Sequence, residues 1–123
     1  VSMRLPRHLA VTLAVLLLAT PPALAHAFLL RASPAVGSTI RTPPSELTLR
    51  FSEGVEPSFS TVQVIGPGDQ RFDIGDPRVD ERERTVLRMS LKPLTQGVYT
   101  VTWRAVSVDT HVTTGDFKFT VAP

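Results

Sequence analysis

After residue 25 the chain falls into short runs in which apolar and polar positions alternate, each broken by Gly or Pro. In 46–51, Leu47, Leu49 and Phe51 share one face of an extended strand and Glu46, Thr48 and Arg50 the other, because successive strand side chains point to opposite sides. The same period of two groups Thr85, Leu87, Met89 and Leu91 in 84–91, and Tyr99, Val101, Trp103 and Ala105 in 98–106. It also turns Phe117, Phe119 and Val121 inward from a final strand. Residues 27–31 predict a first extended piece, ended by Ser33-Pro34 and Gly37, and 59–65 predict another. Gly66-Pro67-Gly68-Asp69 predicts a tight turn, with 70–74 returning from it as a hairpin partner. The polar stretch 76–83, with Pro77 inside it, predicts an exposed loop. No segment sustains a helical period. About seven short strands over 26–123 predict an all-β domain, an immunoglobulin-like Greek-key sandwich or barrel.

Residues 1–25 read as a secretory signal peptide. Arg4 and Arg7 precede the apolar stretch 9–19, and Ala23-Leu24-Ala25 gives a small-x-small cleavage site. The expected product is a single domain, 26–123, exported to the periplasm or another extracytoplasmic space. The excess of arginine over lysine, only Lys92 and Lys118, suits a bacterium with a GC-rich genome. Without Arg4 and Arg7 the acidic and basic residues balance, so the basic pI belongs to the precursor and calls for no nucleic-acid partner. Cysteine is absent. That excludes disulfide stapling, thiolate metal sites, blue-copper centres and a cysteine nucleophile.

Cleavage after Ala25 makes His26 the first residue. A terminal histidine offers a metal its α-amine and its ring Nδ1 together, closing a six-membered chelate, whereas the backbone nitrogen of an internal histidine is an amide. His111 is the only other histidine after residue 25, and Asp109 stands two positions before it. In extended chain, positions i and i+2 face the same side, so an imidazole and a carboxylate can converge on one ion. Asp-x-His alone is weak, since Asp109 capping a turn beside a half-exposed His111 explains it equally well. If the first strand brings the terminus to this segment, the donors become an amine, two imidazoles and a carboxylate. Such a sulfur-free, nitrogen-rich set suits Cu(II), with Zn(II) or Ni(II) as weaker occupants. Met89 lies on an apolar strand face and reads as core, not as a thioether ligand.

His26-Ala27, the 51–56 stretch Phe-Ser-Glu-Gly-Val-Glu and the 103–111 stretch Trp-Arg-Ala-Val-Ser-Val-Asp-Thr-His together resemble the CopC family of exported copper-binding proteins. Residues 115–119, Gly-Asp-Phe-Lys-Phe, resemble its closing strand. The resemblance implies a Greek-key β fold that binds one Cu(II) per chain through His26, Asp109 and His111, and a role in copper resistance or homeostasis. The methionine-rich segment that some members use for Cu(I) is missing, which places the chain with the Cu(II)-only subgroup. Relatives fused to a membrane domain imply a membrane copper-transport partner, expected here as a separate polypeptide. Glu53 in the first motif reads either as an acceptor for a ligand N–H or as an exposed carboxylate.

The leading expectation is a monomeric, non-enzymatic Cu(II) carrier or buffer. Two alternatives stand beside it: a copper oxidase or monooxygenase that holds its metal through a terminal histidine, and a metal-free immunoglobulin-like scaffold. The shortage of aromatics for sugar stacking and the hard Asp109 donor weigh against the enzyme.

Overall fold

A computed structural model describes residues 26–123, so the expected signal peptide over 1–25 lies outside the described residues. Eight strands follow in order: β1 (Leu29–Ser33), β2 (Thr39–Ile40), β3 (Glu46–Phe51), β4 (Thr61–Ile65), β5 (Arg78–Asp80), β6 (Glu83–Ser90), β7 (Gly97–Val106) and β8 (Val112–Val121). They form two four-stranded sheets ordered β1-β3-β6-β5 and β2-β8-β7-β4. The β3–β4 and β6–β7 connections cross from one sheet to the other, as in Greek-key sandwiches. The one helical piece among the described residues is a 3₁₀ turn, Pro67–Asp69.

The alternation read from the chain becomes the core. Leu47, Leu49, Phe51, Leu87, Met89, Tyr99, Val101, Trp103, Phe117, Phe119 and Val121 are all buried between the sheets. Aromatic rings tie the two layers. Phe51 of β3 meets Trp103 of β7 edge-on at 5.2 Å across the layers, and within the second sheet Tyr99 stacks on its cross-strand partner Phe119 at 5.2 Å. The Tyr99 hydroxyl donates to the Thr95 carbonyl, so the burial of this ring strands no polar atom.

Three expectations change. Residues 70–74 make isolated bridges, Ile65 to Arg71 and Asp73 to Leu91, and do not form a hairpin strand. The buried Asp73 carboxylate accepts from the Val64 amide and the Arg71 side chain, taking the place of a regular ladder bond. The loop expected over 76–83 contains β5, an edge strand paired with β6. Its partly buried Val79 packs on the core, while Arg78 pairs with Glu46 and Asp76 on the exposed face. The strand count rises to eight because β2, only two residues long, pairs in parallel with β8.

Two consequences are measurable. Gly115 lies opposite Trp103 in the β7–β8 pairing, and a methyl there would stand 2.5 Å from Trp103 Cζ2. Gly115→Ala is expected to cost about 1–3 kcal/mol through overpacking, seen as a lower urea midpoint at unchanged m-value. The Asp76 carboxylate accepts from both the hydroxyl and the amide of Ser90 and pairs with Arg78. The Ser90 bonds, ahead of the Arg78 charge, hold its pKa below the usual carboxylate value. A depressed folded pKa stabilises the fold above the unfolded value, about 3.9, and this contribution fades as pH falls through the folded one. The gap in melting temperature between wild type and Asp76→Ala is therefore expected to be full at pH 5–7 and to narrow below about pH 4.

Candidate metal centre

Two chain segments meet at one end of the sandwich. The first is 26–28, which leads into β1. β1 pairs with β3, and a register shift between Leu29 and Arg31 follows the Leu29–Phe51 pair. Beyond that pair the Ser52 amide donates to the Phe28 carbonyl. The Ser52 hydroxyl donates to the His26 carbonyl at 2.9 Å and accepts from the Phe28 amide at 2.9 Å. On the other side Thr113 of β8 donates its hydroxyl to the Ala27 carbonyl. Ala27 is wholly buried, and its small side chain lets the backbone pass between the sheets.

The second segment is the β7–β8 connection, 107–111. The last ladder pair is Val106 with Val112, after which the Ser107 amide bonds the His111 carbonyl and the Thr110 amide bonds the Ser107 carbonyl. Thr110 takes a left-handed conformation, φ 73°. This is unusual for a β-branched residue and is the kind of local strain that clusters at functional sites. The turn is fastened to 54–55 by the Val55–Ser107 bridge and by the Val108 amide bonding the Gly54 carbonyl.

Asp109 and His111 therefore converge through a tight turn and not, as extended geometry predicted, along one strand face. His111 Nδ1 lies 3.2 Å from Asp109 Oδ1. The His26 and His111 rings meet edge-on with centroids 4.8 Å apart. Phe28 flanks them, its ring 6.0 Å from that of His26, and is more than half exposed. The Asp109 carboxylate also accepts from the buried Ser107 hydroxyl. That bond first, and the neighbouring His111 second, hold the Asp109 pKa below the usual carboxylate range, so the acid is an anion at neutral pH.

The donor chemistry suits a divalent ion. His111 Nδ1 is buried and has no hydrogen-bond partner, an orphan that a bound cation would satisfy. Its 3.2 Å separation from Asp109 Oδ1 is close to the roughly 3 Å between adjacent donors whose metal bonds are about 2.0–2.2 Å long. The side chains alone do not complete a coordination sphere: among the described residues no group of three or more His, Asp or Glu stands in a finished ligating arrangement. While residues 1–25 remain attached, the His26 nitrogen is an amide, which leaves that donor unavailable.

Glu53 is exposed and takes part in no hydrogen bond or ion pair among the described residues. The polar contacts at this end come instead from Ser52 and Ser107, which sequence reasoning missed as site residues. The available signal was Ser107-Val108-Asp109, a hydroxyl two positions before a carboxylate in a segment read as a loop.

Residues 29–122 match the family model of the CopC domain. Protein YobA of Escherichia coli (strain K12) is 39% identical over 121 residues, covering 94% of this chain and 95% of that protein. The crystal structure of CopC from Methylosinus trichosporium OB3b superposes with a TM-score of 0.74 at 30% identity, over 80% of this chain and 95% of that one. PcoC from Escherichia coli, described as a methionine-rich copper resistance protein, gives a TM-score of 0.67 at 30% identity, over 79% and 99% of the two chains.

Proposed function

From the membership of this chain in the CopC family, we propose that it binds copper outside the cytoplasm and serves copper resistance and homeostasis as a carrier or buffer, not as an enzyme. Residues 1–25 direct export and are removed, and 26–123 form the binding domain. One Cu(II) is held by the His26 amine and ring, the Asp109 carboxylate and the His111 ring. The observation that carries this reading is the convergence of the two rings, 4.8 Å apart, with the Asp109 carboxylate beside the orphaned His111 Nδ1.

The preference for the oxidised ion follows from the donors. Soft sulfur ligands select Cu(I), whereas imidazole, amine and carboxylate suit Cu(II). The chain has no cysteine, and Met89, its one methionine among the described residues, is packed in the core. The contrast with a relative described as methionine-rich points the same way. A hard carboxylate ligand also favours the cupric state over repeated reduction, which suits transport and storage better than redox turnover. Release to a membrane copper-transport protein is the corresponding next step.

Chelator competition with protein beginning at His26 is expected to give one Cu(II) equivalent. His26→Ala, His111→Ala or one extra residue ahead of His26 is expected to weaken binding by more than the roughly 10- to 100-fold that outer partners of a metal site cost. Equal affinity in the extended chain would overturn the role of the amine. Because protons compete for nitrogen donors, affinity is expected to fall as pH is lowered from about 7.5 to about 5.5. A constant affinity between pH 7.5 and 5.5 would contradict this ligand set.

A further inference from the structure

Resting on that reading, the geometry points to Ser107 and Ser52 as positioning residues that pre-set the two halves of the copper site, one behind Asp109 and His111, the other behind His26. Neither hydroxyl is itself a donor to the ion.

Ser107 is 1% exposed, at the point where β7 gives way to the turn. A serine hydroxyl has one proton and two lone pairs. The proton goes to Asp109 Oδ1, a closer acceptor than the His111 carbonyl at 3.3 Å. A lone pair receives the His111 amide at 3.2 Å. One buried oxygen thus fixes the side chain of one ligand and the backbone of the other. The Asp109 side chain is 40% exposed, so without this bond it is free to rotate into solvent. Binding would then have to order it, at a cost in affinity.

Ser52 does the corresponding work on the other segment. Its hydroxyl spans the His26 carbonyl and the Phe28 amide, both at 2.9 Å, while its own amide holds the Phe28 carbonyl. These three bonds set residues 26–28 in one register against the end of β3. Terminal residues fray unless tied down, and after cleavage His26 is a terminus. Ser52 is exposed, so water competes for its bonds and its effect is the smaller of the two.

The test uses protein beginning at His26, with Cu(II) affinity from chelator competition, the copper EPR spectrum, and melting of the metal-free protein as a check on folding. Ser107→Ala is expected to weaken Cu(II) about 10- to 100-fold and to shift the EPR parameters, while Ser107→Thr, which keeps a hydroxyl, restores much of both. Ser52→Ala is expected to weaken binding by about 10-fold or less with the metal-free melt nearly unchanged. A purely structural serine would cost the same affinity in any background. A positioning serine acts through its ligand, so Ser107→Ala is expected to cost far less in an Asp109→Ala protein than in wild type. If Ser107→Ala fails to fold, Ser52→Ala and Ser107→Thr decide the matter. Wild-type affinity and spectrum in both alanine variants, with binding lost in His26→Ala and His111→Ala, would overturn the positioning role and leave the copper site intact. Retention of tight binding by His26→Ala and His111→Ala would instead overturn the site on which it rests.

Discussion

The histidine end of the molecule depends on residues 26–28 lying across the seam between the two sheets. Ser52, just past β3 in one sheet, and Thr113, in β8 of the other, both bond this short segment. Ala27 between them is wholly buried and belongs to the core cluster, which packs the segment into the sandwich. Position 26 is thereby delivered to the turn between β7 and β8, over 80 residues away in the chain. A larger side chain at 27 would force the sheets apart or lift the segment off the seam, and either would separate the two rings. The site is therefore a product of sheet packing. No local motif makes it.

This origin explains which parts of the molecule were legible in the sequence. β3, most of β7 and the later half of β8 alternate because one face meets the core and the other meets water, so their period of two is written in hydrophobicity. β5 carries a weaker signal. It is an edge strand with a single apolar anchor, Val79, and its outward Arg78 is met by the distant Glu46 and the neighbouring Asp76. β2 is two residues held by a parallel partner that sequence neighbours cannot reveal. Residues 70–74 follow a strong turn signal, from which a strand can return, but Asp73 is drawn inward to bond Val64. A buried carboxylate in a strand-like pattern signals a side chain replacing a backbone partner, and periodicity does not register that exchange.

The candidate site divides in the same manner. The residue types at 26, 109 and 111 were readable because only two histidines follow residue 25, one at the expected new terminus and the other two positions after an aspartate. Their geometry was not. Extended spacing brought Asp109 and His111 together on paper, but a turn with Thr110 in the left-handed region does so in the fold. The two routes differ in consequence. On a strand the i and i+2 side chains would be held by the sheet, whereas in this turn they are held by a serine hydroxyl and two backbone bonds. Glu53, the conspicuous charge of its motif, points to solvent, and its quieter neighbour Ser52 makes the contacts. Charge draws attention in a sequence, while hydroxyls that bridge backbone groups leave almost no compositional trace.

Assembly from distant segments also links cargo to fold. The unfolded chain holds residue 26 and residues 109 and 111 far apart, and the loop-closure entropy of joining them is met by strand pairing before any ion arrives. An ion at free concentration c that binds the folded form alone adds stability as RT ln(1 + c/Kd), which grows with the logarithm of c once the site is filled. A domain without disulfides has no covalent staple to supply that margin, and its stability rests on packing such as the Phe51–Trp103 and Tyr99–Phe119 contacts. The rigid sandwich and the open turn thus divide the work. Trp103 and its neighbours fix β7, β7 fixes the position of Ser107, and the Ser107 hydroxyl holds the Asp109 side chain and the His111 backbone at a partly exposed end of the sandwich.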